Sequence, residues 1–114
     1  MKRKAPLTPL TKAEEEVMQI IWQIGNCVVR DVMEQLGDPD MPHSTVSSVV
    51  RILERKGFVD HKAYGKTYEY FPIVKKEEYA RQGVQSLVEK YFGGSPKHLV
   101  SFLVKNENIN LKKP

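Results

Sequence analysis

Apolar residues recur along the chain first at helical spacing, then in alternation, then at helical spacing again. Val17, Ile20, Ile21 and Ile24 form one stripe, with Met18 and a core Trp22 beside it, and predict a first helix. Thr11-Lys12-Ala13-Glu14 opens it as a capping box, in which the Thr11 hydroxyl caps the first turn and Glu14 returns the bond. Gly25-Asn26 stops it. Cys27-Val28-Val29 reads as a short extended piece or as the lead into a second helix, about Val29 to Leu36, burying Val32, Met33 and Leu36. The breaker-rich run Gly37-Asp38-Pro39-Asp40-Met41-Pro42 predicts a loop.

A third helix starts at Ser44, a suitable N-cap, or one residue earlier, and ends at Gly57. Val46, Val49, Val50 and Leu53 point inward, while Ser44, Ser47, Ser48, Arg51 and Arg55 fall on the opposite side. Alternation then predicts strands over Phe58–Tyr64 and Thr67–Phe71, joined by a tight turn at Gly65-Lys66. That register sets Lys62 opposite Glu69 and puts Val59, His61, Ala63, Tyr68 and Tyr70 on the other face. A fourth helix, Lys75 to Phe92, carries Tyr79, Ala80, Gly83, Val84, Leu87, Val88, Tyr91 and Phe92 on a seven-residue rhythm. Gly93-Gly94 breaks it, and Ser95-Pro96 caps a short last helix bearing Leu99, Phe102 and Leu103. The chain is polar from Asn106 onward.

This order predicts a mainly α protein with a small β-hairpin, a winged helix-turn-helix followed by C-terminal dimerisation helices. The expected divisions are a basic flexible tail over 1–9, a winged-helix DNA-binding domain over 10–73 and a helical dimerisation region over 74–114. A lone helix projecting past a complete winged helix has little surface of its own chain to cover it. Tyr79, Val84, Leu87, Val88, Tyr91, Phe92, Leu99, Phe102 and Leu103 are therefore expected to bury against a second copy.

The outer face of the third helix carries the candidate chemistry. Short hydroxyl side chains let a backbone approach a surface closely, and arginine forks suit phosphates and guanine edges. Ser44, Thr45, Ser48 and Arg51 are expected at base edges in the major groove, with Ser47 and Arg55 nearer phosphates. His43 at the helix start and Lys62 and Lys66 on the wing are expected at the flanking backbone.

The 114 residues carry a net charge of +4, a weak sign of an anionic partner. The distribution says more: from Ser44 to Lys66, Arg51, Arg55, Lys56, Lys62 and Lys66 outnumber Glu54 and Asp60. Glu14-Glu15-Glu16 reads as a solvated helix face. The single cysteine, Cys27, excludes an intramolecular disulfide and a cysteine-based metal site within one chain, and reads as a small buried hydrophobe. His43, His61 and His98 are too dispersed for a metal triad, and no cofactor is expected. No run approaches a membrane span and the basic start lacks the apolar core of a signal peptide, so a cytoplasmic location is expected. A Gly-rich phosphate loop, a nucleophile elbow and a His-Glu-x-x-His helix are all missing, which argues against an enzyme. Winged helices also serve as protein-interaction modules, so a dimeric adaptor without sequence-specific DNA binding is the competing reading.

Several segments together carry a family resemblance: Leu10-Thr11-Lys12-Ala13-Glu14, Val17-Met18 with Trp22, Ser44-Thr45-Val46, Leu53-Glu54-Arg55-Lys56-Gly57-Phe58-Val59 and Tyr68-Glu69-Tyr70. Tyr91-Phe92-Gly93-Gly94-Ser95 and Leu99-Val100-Ser101-Phe102 complete the set. In order and spacing they resemble the BlaI/MecI/CopY group of penicillinase repressors from about Leu10 to Asn108. The resemblance implies a homodimeric repressor on a palindromic operator. In the penicillinase branch it also implies a membrane-anchored sensor metalloprotease that cleaves the repressor in its last helices. The family's scissile Asn–Phe bond aligns with Ser101–Phe102, where Phe is kept and Asn is not. The copper-responsive branch carries paired Cys-x-Cys motifs that this chain lacks.

Overall fold

The structure is a computed structural model and describes residues 6–106. The basic run Lys2-Arg3-Lys4 and the polar end beyond Asn106 lie outside the described residues. The element order is α1 (Lys12–Ile24), α2 (Val29–Leu36), α3 (His43–Arg55), β1 (Val59–Tyr64), β2 (Thr67–Pro72), α4 (Lys76–Tyr91) and α5 (Pro96–Lys105). These residues fall into two compact units, one ending at Glu78 and one starting at Tyr79.

In the first unit, α1 starts where the capping box dictates. The Glu14 amide donates to the Thr11 hydroxyl at 3.2 Å and the Thr11 amide donates to Glu14 Oε1 at 3.0 Å. Asp31 does similar work for α2, accepting from the Val28 amide at 3.0 Å. Val17, Met18 and Ile21 of α1, Val32 of α2 and Val46, Val50 and Leu53 of α3 are buried together, closed below by Phe58, Val59, Tyr70 and Val74. Met33 and Leu36, expected in this core, are only half-buried, because the short α2 turns one narrow stripe inward. Ile24, also expected on the α1 core stripe, is exposed in the last turn.

The hairpin has the expected register, with Lys62 opposite Glu69 and His61 opposite Tyr70, and Gly65 takes the positive φ of 64° that its tight turn requires. Cys27 adds a single bridge to it: its amide donates to the Tyr70 carbonyl at 2.9 Å and its carbonyl accepts from the Tyr70 amide at 2.7 Å. The segment between α1 and α2 is therefore joined to the two-stranded wing by a single isolated β-bridge.

Four further features depart from the sequence reading. The third helix begins at His43, the earlier of its two expected starts, but its N-cap is Pro42 rather than Ser44, which lies inside the first turn. Pro42 holds φ at −68° and ψ at 148°, so its carbonyl already accepts from the Thr45 amide at 3.1 Å. The tail expected to be flexible through residue 9 is tied down from Leu7, which is buried, and at Pro9, whose carbonyl accepts from Lys56 Nζ at 3.2 Å. Glu14 is not solvated: it is 8% exposed and pairs with Lys56 Nζ at 2.5 Å. Trp22 is half-buried rather than fully core, because its indole N–H needs a partner and donates to the Val74 carbonyl at 2.8 Å. That bond, with the Ile73 and Val74 amides donating to the Phe58 carbonyl, holds residues 73 and 74 within the first unit.

In the second unit, α4 ends at consecutive left-handed glycines, Gly93 and Gly94, with φ of 59° and 78°. The Phe92 and Gly94 amides both donate to the Val88 carbonyl, at 2.9 and 3.0 Å. Ser95 caps α5 through its hydroxyl, which accepts from the His98 amide. The Phe92 and Phe102 rings meet at 5.4 Å, a tilted aromatic pair. No helix among the described residues is long and apolar enough to cross a membrane.

The Glu14–Lys56 pair makes stability depend on pH. The Lys56 ammonium and the Thr11 amide hold the Glu14 carboxyl below its ordinary value, outweighing its burial. A depressed folded-state pKa adds stability that is present above about pH 4.5 and is lost as pH falls through the folded value. Glu14→Gln should therefore lower the melting temperature at pH 7, with the gap to wild type narrowing as pH falls below about 4.5. Parallel melting curves across that range would show the pair to be inert.

Candidate nucleic-acid interface

Helix α3 has two faces because its inner stripe is consumed by packing. At about 100° per residue, buried Val46, Val50 and Leu53 occupy one arc, and Ser44, Ser48, Arg51 and Arg55 gather within about 60° on the opposite side. All four of these outer residues are exposed, as are His43 and Thr45. Thr45 lies on one flank beside half-buried Ile52. Ser47 lies on the other flank and is half-buried, so it stands off the face on which the helical pattern places it. The outer face is a strip of two hydroxyls and two guanidiniums with little side-chain bulk at its start, shaped for close approach to a groove floor.

The wing brings Lys62 and Lys66 to the same unit, both exposed, with Lys66 at the hairpin turn. Lys56 is the exception in the basic stretch: its ammonium is committed to Glu14 and the Pro9 carbonyl. Within the stretch from Ser44 to Lys66, the positive charge open to a partner is thus Arg51 and Arg55 on α3 and Lys62 and Lys66 on the wing.

A polar cluster joins helix to wing. His61 Nδ1 lies 2.7 Å from Glu54 Oε2, and the imidazole stacks on Tyr68 at 4.3 Å with 19° between planes. Tyr70 stands tilted beside it at 5.6 Å. Burial pushes the Tyr70 phenol above its ordinary value, and Glu54 adds to the rise while Arg51 opposes it. Glu54, missed in the sequence reading, is therefore the link between the last turn of α3 and the wing. His61 lies seven positions further along the chain, and the chain reversal at Gly57 brings the two together.

Cys27 is 2% exposed, and burial, with Asp31 and Glu69 nearby, raises its thiol to about 11. It is a packing residue rather than a reactive thiolate.

The residues expected to dimerise divide. Val84, Leu87, Tyr91 and Phe102 are exposed at 50, 41, 73 and 51%, whereas Tyr79, Phe92, Leu99 and Leu103 are half-buried. Val88 is buried within the single chain at 6%, so its stripe position serves the fold of one chain. Ser101 and Phe102 lie in the middle of α5.

Three packed helices followed by a hairpin, with a hydroxyl-arginine face on the third helix, define a winged-helix DNA-binding regulator. A model of the penicillinase repressor family matches residues 10–113, and the chain belongs to that family, whose members are transcriptional repressors and not enzymes. The methicillin resistance regulatory protein MecI of Staphylococcus aureus (strain N315) is 26% identical over 102 residues, 89% of this chain and 83% of the relative. The penicillinase repressor of Bacillus licheniformis is 22% identical over 102 residues, 89% of this chain and 80% of the relative. Among solved structures, a MarR family protein from Bacillus stearothermophilus superposes with a TM-score of 0.52 at 17% identity, over 83% of this chain and 69% of that one. This last likeness is one of fold.

Two substitutions separate reading from anchoring. Arg51→Ala should cost about 1–3 kcal/mol on the preferred sequence and relax the preference at one base position per half-site, measured by competition binding. An unchanged preference would remove Arg51 from the reading face. Lys66→Ala should weaken binding to all duplexes alike and reduce the slope of log K against log salt by about one. An unchanged slope would place Lys66 away from phosphate.

Proposed function

We infer that this repressor binds a palindromic operator as a homodimer, through α3 in the major groove and the wing at the flanking backbone. The observation that carries the reading is the exposed strip Ser44, Ser48, Arg51 and Arg55 diametrically opposite the buried stripe of the same helix. Two features support pairing. Val84, Leu87, Tyr91 and Phe102 leave large apolar side chains open in the C-terminal unit, where a second copy can cover them. One half-site held by few contacts is weak, and a linked second reader raises affinity through effective concentration. No helix start among the described residues suits phosphate better than that of α3, which carries no side-chain cap and no acidic residue in its first turn. A cytoplasmic location follows from operator binding.

Regulation by a sensor metalloprotease at Ser101–Phe102 is disfavoured. Ser101 replaces the Asn of the family's scissile pair, although the bond's place within α5 agrees with cleavage in the last helices. The adaptor reading is disfavoured by the α3 face, which presents hydroxyls and arginines where a protein interface more often shows aromatics.

The double substitution Val84→Glu and Leu87→Glu tests the coupling, since both side chains are exposed in the single chain. Wild type should sediment as a dimer at micromolar concentration and shift the promoter upstream of its own gene in a salt-dependent manner. The variant should sediment as a folded monomer and bind about 100-fold more weakly or worse. A monomeric wild type, or a monomeric variant of undiminished affinity, would refute the dimer reading.

A further inference from the structure

We propose that Glu54, Asp60 and His61 form a binding site for a first-row divalent metal ion of the zinc class, at the seam between α3 and β1. Among the described residues these are the one group of three His, Cys, Asp or Glu side chains that can offer an atom each to a single ion, with all three atoms within 4.8 Å of one another. The donor set is an imidazole nitrogen and two carboxylate oxygens, which suits zinc and its neighbours.

The geometry is close to coordination. Metal–ligand bonds of about 2.0–2.2 Å set ligand atoms roughly 3.3–3.6 Å apart around a tetrahedral ion. His61 Nδ1 and Glu54 Oε2, now 2.7 Å apart, need to open slightly, and Asp60 needs to close in. Asp60 is free to do so: it is exposed, and its Oδ1 accepts at 2.8 Å from the amide of the adjacent His61, a contact that a change of rotamer exchanges for the ion. The imidazole is already oriented by its stack on Tyr68 and by Tyr70 beside it, so little ordering remains to be done. Glu54 and His61 are half-buried and Asp60 is open, which leaves a fourth position for water.

The location gives the site a consequence. Glu54 and Asp60 are the two acidic residues within the basic stretch from Ser44 to Lys66, and uncompensated they oppose approach to a polyanion. A bound dication offsets them and ties the last turn of α3 to the first residues of the wing. It thereby fixes Arg51 and Arg55 relative to Lys62 and Lys66 before DNA arrives. This consequence rests on the DNA-binding reading above, whereas metal binding itself does not.

The test has two arms. In the first, without DNA, the tag-free chain is stripped with chelator and Zn²⁺ is titrated against a chromophoric zinc indicator. Wild type should take up one equivalent and gain melting temperature with zinc. Asp60→Asn and Glu54→Gln should each bind at least about tenfold more weakly, and His98→Gln should match wild type. Failure to compete with the indicator, or binding by Asp60→Asn and Glu54→Gln as tight as that of wild type, overturns the site. Because Asp60 is exposed, Asp60→Asn should leave the fold intact, so a loss of binding in that variant reports on the ligand alone. In the second arm, zinc should tighten duplex binding by wild type and not by Asp60→Asn. Equal DNA affinity with and without zinc overturns the coupling while the first arm still decides the site.

Discussion

The first unit depends on the burial of one stripe of α3. Val46, Val50 and Leu53 are shared by α1, α2 and the floor made by Phe58 and Val59, so the rotation of α3 about its own axis is fixed by packing. A core at native density does not tolerate a turned helix, because each apolar side chain would leave a void and a clash together. The outward face of α3 is therefore set as firmly as the inward one. Ser44, Ser48, Arg51 and Arg55 are presented by a rigid element rather than a loop, which is what a reader of base edges requires.

Polar bonds then place the surrounding parts on this frame. Lys56, just past α3, reaches Glu14 in the first turn of α1 and the Pro9 carbonyl before it, so the end of α3 and the segment leading into α1 are pinned together. Glu54 and His61 join the same helix to the wing, and the Cys27–Tyr70 bridge ties the wing back to the segment between α1 and α2. The Trp22 indole holds the Val74 carbonyl, which fixes the stretch leading into α4. Together these bonds make a three-helix packing into a unit with a defined wing.

What was legible in the sequence was what is decided locally. The capping box needs only Thr11 and Glu14, three residues apart, and the hairpin register follows from Gly65-Lys66 and strict alternation. The candidate face of α3 was legible because helical periodicity couples it to the apolar stripe, although Ser47 falls on the half-buried flank. The departures arise from distant partners. Glu14 reads as solvent-facing until Lys56, 42 residues away, comes to meet it, and the tail reads as free until the same side chain reaches Pro9. Glu54 carries no signal of its own, since its partners Asp60 and His61 are assembled only by the reversal at Gly57. The start of α3 falls at the earlier of its two expected positions, but the cap is Pro42 and not Ser44: its fixed φ supplies the capping geometry without a side-chain bond.

The central claim is that two copies of the α3 face read base edges in the major groove. Interference by guanine N7 methylation tests it most directly, using a duplex selected by the protein from random sequence, since methylation adds bulk at the acceptor edge that an arginine fork would meet. Two patches of interference are expected, related by the symmetry of the site and about one helical turn or more apart, and they should disappear when Arg51 is replaced by alanine. A bound duplex with no N7 interference, or with interference unaffected by loss of Arg51, would contradict it.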